Sequence, residues 1–161
     1  MIINHARPIE DTEIVAWSPS SGVTLYDKIN EEAHDDAGFV NTTAEANHST
    51  FRLSALPRAF DGSVVIRFRA RSTADGYLTV QLLDGSTLIA ERLFGPLDAG
   101  YSMLRMDLTA PEVAVISDYA NLHVRFYGEY AVYRLLLEDG VSRLELEAGN
   151  GPGDLLIERN A

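Results

Sequence analysis

In several short stretches between Val64 and Tyr127, apolar side chains recur at every second residue, and that period suits little other than β-strands. In SVVIRFRARS, Val64, Ile66, Phe68 and Ala70 share one side, and Val65, Arg67, Arg69 and Arg71 share the other. In YLTVQLL, Leu78, Val80 and Leu82 point inward, with Tyr77, Thr79 and Gln81 outward. Asp84-Gly85-Ser86 reads as a tight turn leading into TLIAERLF, so these two strands form a hairpin. YSMLRMDL buries Leu104, Met106 and Leu108, and NLHVRFYG buries Leu122, Val124 and Phe126.

Helical signals are few. Thr24 with Asp27 three residues later, and Leu25 with Ile29 on one face, predict a short helix from Leu25 to about Glu32. Thr109-Ala110-Pro111-Glu112 has a capping-box pattern with proline in the first turn, predicting a second helix to about Asp118. The expected fold is therefore all-β: an antiparallel, jelly-roll-like β-sandwich over residues 1–128 with two short helices. A jelly roll suits the long connection between Ile29 and Phe51, while a closed up-and-down barrel would show the same period. Residues 1 to about 22 are polar and turn-rich, and Trp17 is expected to plug the core at a sheet end.

After Gly128 the pattern becomes repetitive. In RLLLEDG, VSRLELEAG and DLLIERN, three apolar runs are followed by Glu138, Glu147 and Glu158. Gly140, Gly149, Gly151 and Gly153 supply turns. Residues 129–161 read as a C-terminal β-meander, and a meander this small is marginal alone in water. Its Leu135, Leu137, Leu144, Leu146, Leu155 and Ile157 are expected to cover a partner surface, either on this domain or on a neighbouring subunit.

Composition removes several functions. The 161 residues carry 24 acids against 13 bases, a net charge of −11, and Lys28 is the sole lysine. Binding to nucleic acid leans on Lys and Arg, so none is expected. Without cysteine there is no disulfide, thiolate nucleophile or Cys-type zinc site. The start lacks a signal-peptide pattern, and no apolar run approaches the length of a membrane span. His5, His34, His48 and His123 fit no local zinc spacing, and no G-x-S-x-G is present. GNGPGD lacks the Lys-Ser/Thr of a P-loop. Glu31, Glu32, His34, Asp35 and Asp36 lack EF-hand spacing and read as a solvated loop. No catalytic residue, metal or cofactor is expected.

The outward strand residues are the remaining candidates. Arg67, Arg69, Gln81, His123, Arg125 and Tyr127 are expected to share one exposed face, and Arg and Tyr are enriched where proteins meet. The plainer reading is a solvated face with Arg–acid pairs, for instance to Asp107.

Three passages resemble a known family. ARPIEDTEIVAWSPSSGVTLYDKINEEAHDDAGFV is similar to the opening of a β-sandwich domain widespread in tailed-phage structural proteins. The matching positions are Pro8, Asp11, Trp17, Pro19, Ser20, Gly22, Leu25, Tyr26, Ile29, Asn30, Glu31 and Asp35 through Val40. VVIRFRARS with LTVQLLDGSTLIAE resembles the family's Arg-alternating strand and following hairpin. LTAPEVAVISDYANLHVRF resembles its helix-to-strand passage. The tail is similar to LLLEDG-type repeats that end many phage structural chains. The resemblance, over most of residues 6 to 128, implies a virion structural role but not a place in the virion.

The expected function is a non-enzymatic capsid decoration (cement) protein that binds the outer shell at capsomer junctions and stabilises it. Its partner would be the major capsid protein or another virion protein. Copies would form a homo-oligomer, with a trimer one option, on the capsid surface after synthesis in the host cytoplasm. The alternative is a tail or fibre module that recognises a host-surface glycan; a hydrolase in an unusual fold is a third, weaker reading.

Overall fold

The computed structural model describes residues 6–30, 37–42, 47–56, 64–73, 76–129, 134–136 and 143–145. Its body is antiparallel β-structure with very little helix. Strands β1 (Pro8–Ile14), β2 (Ser18–Pro19), β3 (Val40–Asn41) and β4 (Asn47–Leu53) precede the alternating region. That region supplies β5 (Val65–Ala70), β6 (Tyr77–Asp84), β7 (Thr87–Phe94), β8 (Ser102–Asp107) and β9 (Leu122–Glu129). A helix, α1 (Ala110–Ala114), lies between β8 and β9.

Five strands form one sheet in the order β1-β4-β9-β6-β7. Strand β9 is inserted between β4 and β6, so the last strand of this sheet lies at its centre. Strands β5 and β8 pair in a second sheet, Ile66 opposite Met106 and Phe68 opposite Leu104. The chain thus leaves the large sheet after β4, returns at β6, leaves again after β7 and returns at β9.

Aromatic packing joins the two sheets. The Phe68 ring of β5 lies 5.1 Å from Phe94 and 5.5 Å from Phe126, edge to face in both cases. Phe126 in turn meets Phe51 at 6.2 Å. Edge-to-face pairs place the positive ring rim on the negative ring face. Phe51, Val80, Leu82, Met106 and Leu122 are nearly devoid of solvent contact, and burial of each such side chain contributes about 1.5–3 kcal/mol. The inward sets expected from alternation are the ones packed in this core or against it.

The polar, turn-rich opening predicted for residues 1 to about 22 contains instead a seven-residue edge strand, β1. Its register with β4 shifts twice, between Pro8 and Glu10 and between Asp11 and Glu13. Those irregularities break the period of two and hide the strand from pattern reading. Strand β4 likewise begins at Asn47 rather than Phe51.

Neither helix matches its predicted length. The first is a single 3-10 turn, Tyr26–Lys28, and Ile29 already has φ −135°. Thr24 does donate its hydroxyl to Asp27. The main-chain N–H groups of Leu25 and Tyr26, however, are taken by Asp11, and Leu25 is drawn into the core. α1 has the expected capping box between Thr109 and Glu112 but ends at Ala114 rather than near Asp118. The carboxylate of Asp84 accepts from the N–H groups of Ser117 and Asp118, which fixes the chain beyond the helix in another path.

Trp17 is partly buried against the core, as expected, and its Nε1 donates to the Asn47 carbonyl at 3.2 Å. The predicted Asp84-Gly85-Ser86 turn joins β6 to β7, with Gly85 at φ +61°.

Beyond β9, strands β10 (Arg134–Leu136) and β11 (Arg143–Glu145) pair antiparallel as a sheet of their own. Leu135 stands opposite Leu144, and Arg134 opposite Glu145. The remainder of the predicted meander, with Leu137, Leu146, Leu155 and Ile157, lies outside the described residues.

Candidate functional site

The sequence placed Arg67, Arg69, Gln81, His123, Arg125 and Tyr127 on one surface, but they occupy two. Gln81 sits opposite Arg125, and Thr79 opposite Tyr127, between neighbouring strands β6 and β9. Gln81, His123, Arg125 and Tyr127 therefore share the outer face of the five-stranded sheet. Arg67 and Arg69 belong to β5, in the other sheet. Phe68 between them points at the large sheet, so the arginines point the opposite way. Each alternation was read correctly; the crossing between sheets after β5 separates the two groups.

On the large sheet, Arg125 is held from three sides. Its Nε donates to the Thr50 hydroxyl at 2.7 Å, one terminal nitrogen lies 3.0 Å from the Glu13 carboxylate, and the other donates to the Tyr127 hydroxyl at 3.4 Å. His48 stacks at a tilt on Tyr127, with 5.1 Å between ring centroids. Its Nε2 lies 3.1 Å from Glu13, close enough for an ion pair but without the alignment of a hydrogen bond. His48 and Arg125 together hold the Glu13 carboxyl below the usual glutamate range. Gln81 donates across to Glu91 on β7. Bonds to Thr50, Glu13 and Tyr127 thus make Arg125 a tethered part of the sheet surface, while His48 Nε2 is buried without a hydrogen bond.

The outer face of β5–β8 differs in charge. Arg67 stands directly opposite Arg105, a like-charge cross-strand pair that is unfavourable unless offset. Asp107 provides the offset by accepting from Nε and one terminal nitrogen of Arg105, a single edge of the guanidinium, and its own carboxyl is held below the usual range by that contact. Arg69 and Arg71 both lie over the Tyr101 ring, at 5.4 and 4.8 Å from its centroid. Met103, opposite Arg69, is 63% exposed. Among the described residues, Arg67, Arg69, Arg71, Arg105 and Asp107 lie along this face, in a strongly acidic chain.

Sequence reasoning missed Glu13, Tyr101 and Met103. Glu13 lies in the irregular strand β1, and Tyr101 precedes β8 where the period has not begun. Met103 had a usable signal: its outward parity in YSMLRMDL puts an apolar residue beside arginines.

Among the described residues there is no group of three or more His, Asp or Glu placed to hold a metal, and no helix long and apolar enough to cross a membrane. Glu31, Glu32, His34, Asp35 and Asp36 lie outside the described residues.

Several positions of the N-terminal passage, residues 6–40, have structural partners. Ser20 accepts from Phe39 N–H through its hydroxyl and donates to the Ala37 carbonyl, and Pro19 pairs with Val40. Compared with protein-family models, with curated proteins and with solved structures, the chain gives no significant match.

Proposed function

We propose that this chain is a non-enzymatic structural component of a tailed-phage virion, with a jelly-roll-like sandwich as its rigid body. Its role in this reading is capsid decoration: it binds the outer shell at capsomer junctions and braces neighbouring capsomers. The partner is the major capsid protein or another virion protein.

The observation that carries the reading is the sequence resemblance over three passages. Its support is that residues of the first passage have structural partners: Asp11 holds the Leu25–Tyr26 turn, Trp17 bonds to Asn47, Ser20 bonds to Phe39, and Leu25 is in the core. A pattern made of such residues marks a fold rather than a reaction centre. Two separate outward faces, each with Arg and Tyr, also suit a protein that bridges neighbours. Many weak contacts on a repeating shell would then add by multivalency.

Counting copies in purified particles tests this. A copy number that scales with the major shell subunit agrees with decoration. A handful per particle points to the tail, where glycan recognition becomes the better reading. Absence from the particle overturns both.

A further inference from the structure

We propose that His48 and Glu13 form a pH-dependent clasp, closed when the imidazole is protonated, that holds strand β1 onto β4. The clasp sets how firmly β1 covers β4, whatever the chain's role in a particle.

The geometry of one contact carries this. His48 lies on β4, which runs between β1 and β9, and it stands opposite Tyr127. Its Nε2 is shielded from solvent and lies 3.1 Å from Glu13 Oε1 without a hydrogen bond. A hydrogen bond weakens steeply when misaligned, whereas the attraction between two charges depends on their distance. The neutral ring therefore gains little from Glu13, and the imidazolium gains an ion pair.

The surrounding groups accommodate that charge. From β1 the ring faces Glu13, and from β9 it faces Tyr127, at 5.1 Å between ring centroids. Arg125, also on β9, is a like charge beyond the carboxylate. It takes Glu13 Oε2 at 3.0 Å while His48 faces Oε1, so one carboxylate serves both cations. These contacts, His48 foremost, hold the Glu13 carboxyl below its usual range, so Glu13 stays ionised where a histidine gains its proton.

Both charges coexist from the glutamate range up to about pH 6.5. As pH rises through the histidine range the imidazole loses its charge and the clasp opens. In stronger acid Glu13 is protonated, and the clasp is lost on that side too. Strand β1 is suited to such control. Its register against β4 shifts between Asp11 and Glu13, so the ladder is interrupted beside the clasp and a side-chain contact weighs more there.

Amide hydrogen exchange on the full-length protein tests this. The Val15 N–H donates to the His48 carbonyl at 2.9 Å and reports on β1 directly. Corrected for the intrinsic rate, its protection should be about two- to fivefold higher at about pH 5.5 than at about pH 7.5, the size expected of a partly exposed ion pair. Val80 and Val124, on the inner strands β6 and β9, should change less. His48→Gln and Glu13→Gln should each remove the difference, and His123→Gln should keep it. The Glu13 side chain is 46% exposed, so Glu13→Gln carries the test if His48→Gln does not fold. Equal protection of Val15 at the two pH values, or tighter holding at the higher one, would overturn the proposal. So would a difference that survives Glu13→Gln, one that disappears in His123→Gln, or one shared in full by Val80 and Val124.

Discussion

The carboxylate of Asp11, on the edge strand β1, accepts the main-chain N–H of Leu25 at 2.8 Å. Its second oxygen accepts from Tyr26 at the same distance. One side chain thereby satisfies two donors at the start of a 3-10 turn and sets Leu25 into the core at 2% exposure.

Removing that acceptor should loosen the whole N-terminal segment. Asp11→Ala is expected to lower stability by about 1–3 kcal/mol, since two part-buried N–H groups lose their partner. Asp11→Asn, which keeps one acceptor oxygen, should fall between. Urea unfolding midpoints at constant slope check the order, and an Ala variant as stable as wild type would refute this role.

Phe68 is the ring that β5 inserts against Phe94 and Phe126 of the opposite sheet. Phe68→Ala should cost about 3 kcal/mol or more, and Phe68→Leu clearly less, because a leucine fills part of the space. Calorimetric melting distinguishes the two. Equal, small losses would mean that the two sheets do not depend on this contact.

Stability should fall in acid through identifiable carboxylates. Asp84 is held below its ordinary value of 3.8, chiefly by the Ser117 hydroxyl and then by the Ser117 and Asp118 N–H groups. A depressed folded-state pKa contributes stability that is present above the unfolded value and is lost as pH falls through the folded one. Asp84→Asn should therefore be less stable than wild type at neutral pH, and the difference should shrink toward about pH 2. A gap between their melting midpoints that stays constant from neutral pH to acid would contradict this.

Gly85 turns the β6–β7 hairpin at φ +61°, and a Cβ there would approach Asn121 Nδ2 to 2.9 Å. Gly85→Ala should destabilise by about 1 kcal/mol or more, from left-handed strain together with the displaced Asn121. Asn121→Ala in the same background should recover the steric part only. Chemical denaturation of the single and double variants measures the split.

What could be read from the chain was what depends on neighbours a few residues away. The alternation of Val64 to Ala70 and of Leu122 to Phe126 marked the core side of each strand. Thr109 and Glu112 marked the start of α1. Strand β1 escaped because its register shifts twice against β4. The helix expected from Leu25 shrank to one turn, where Asp11, fourteen residues earlier, takes the N–H of Leu25.

Alternation by itself determined that Arg67, Arg69, Gln81, Arg125 and Tyr127 face outward, because a strand's two sides are a local property. Only the tertiary structure decided that the first two stand on the outer face of β5–β8 and the others on the outer face of β9 and β6. Sheet membership is set by where the chain crosses between layers, and that depends on the joint packing of Phe68, Phe94 and Phe126, which no short window of sequence contains.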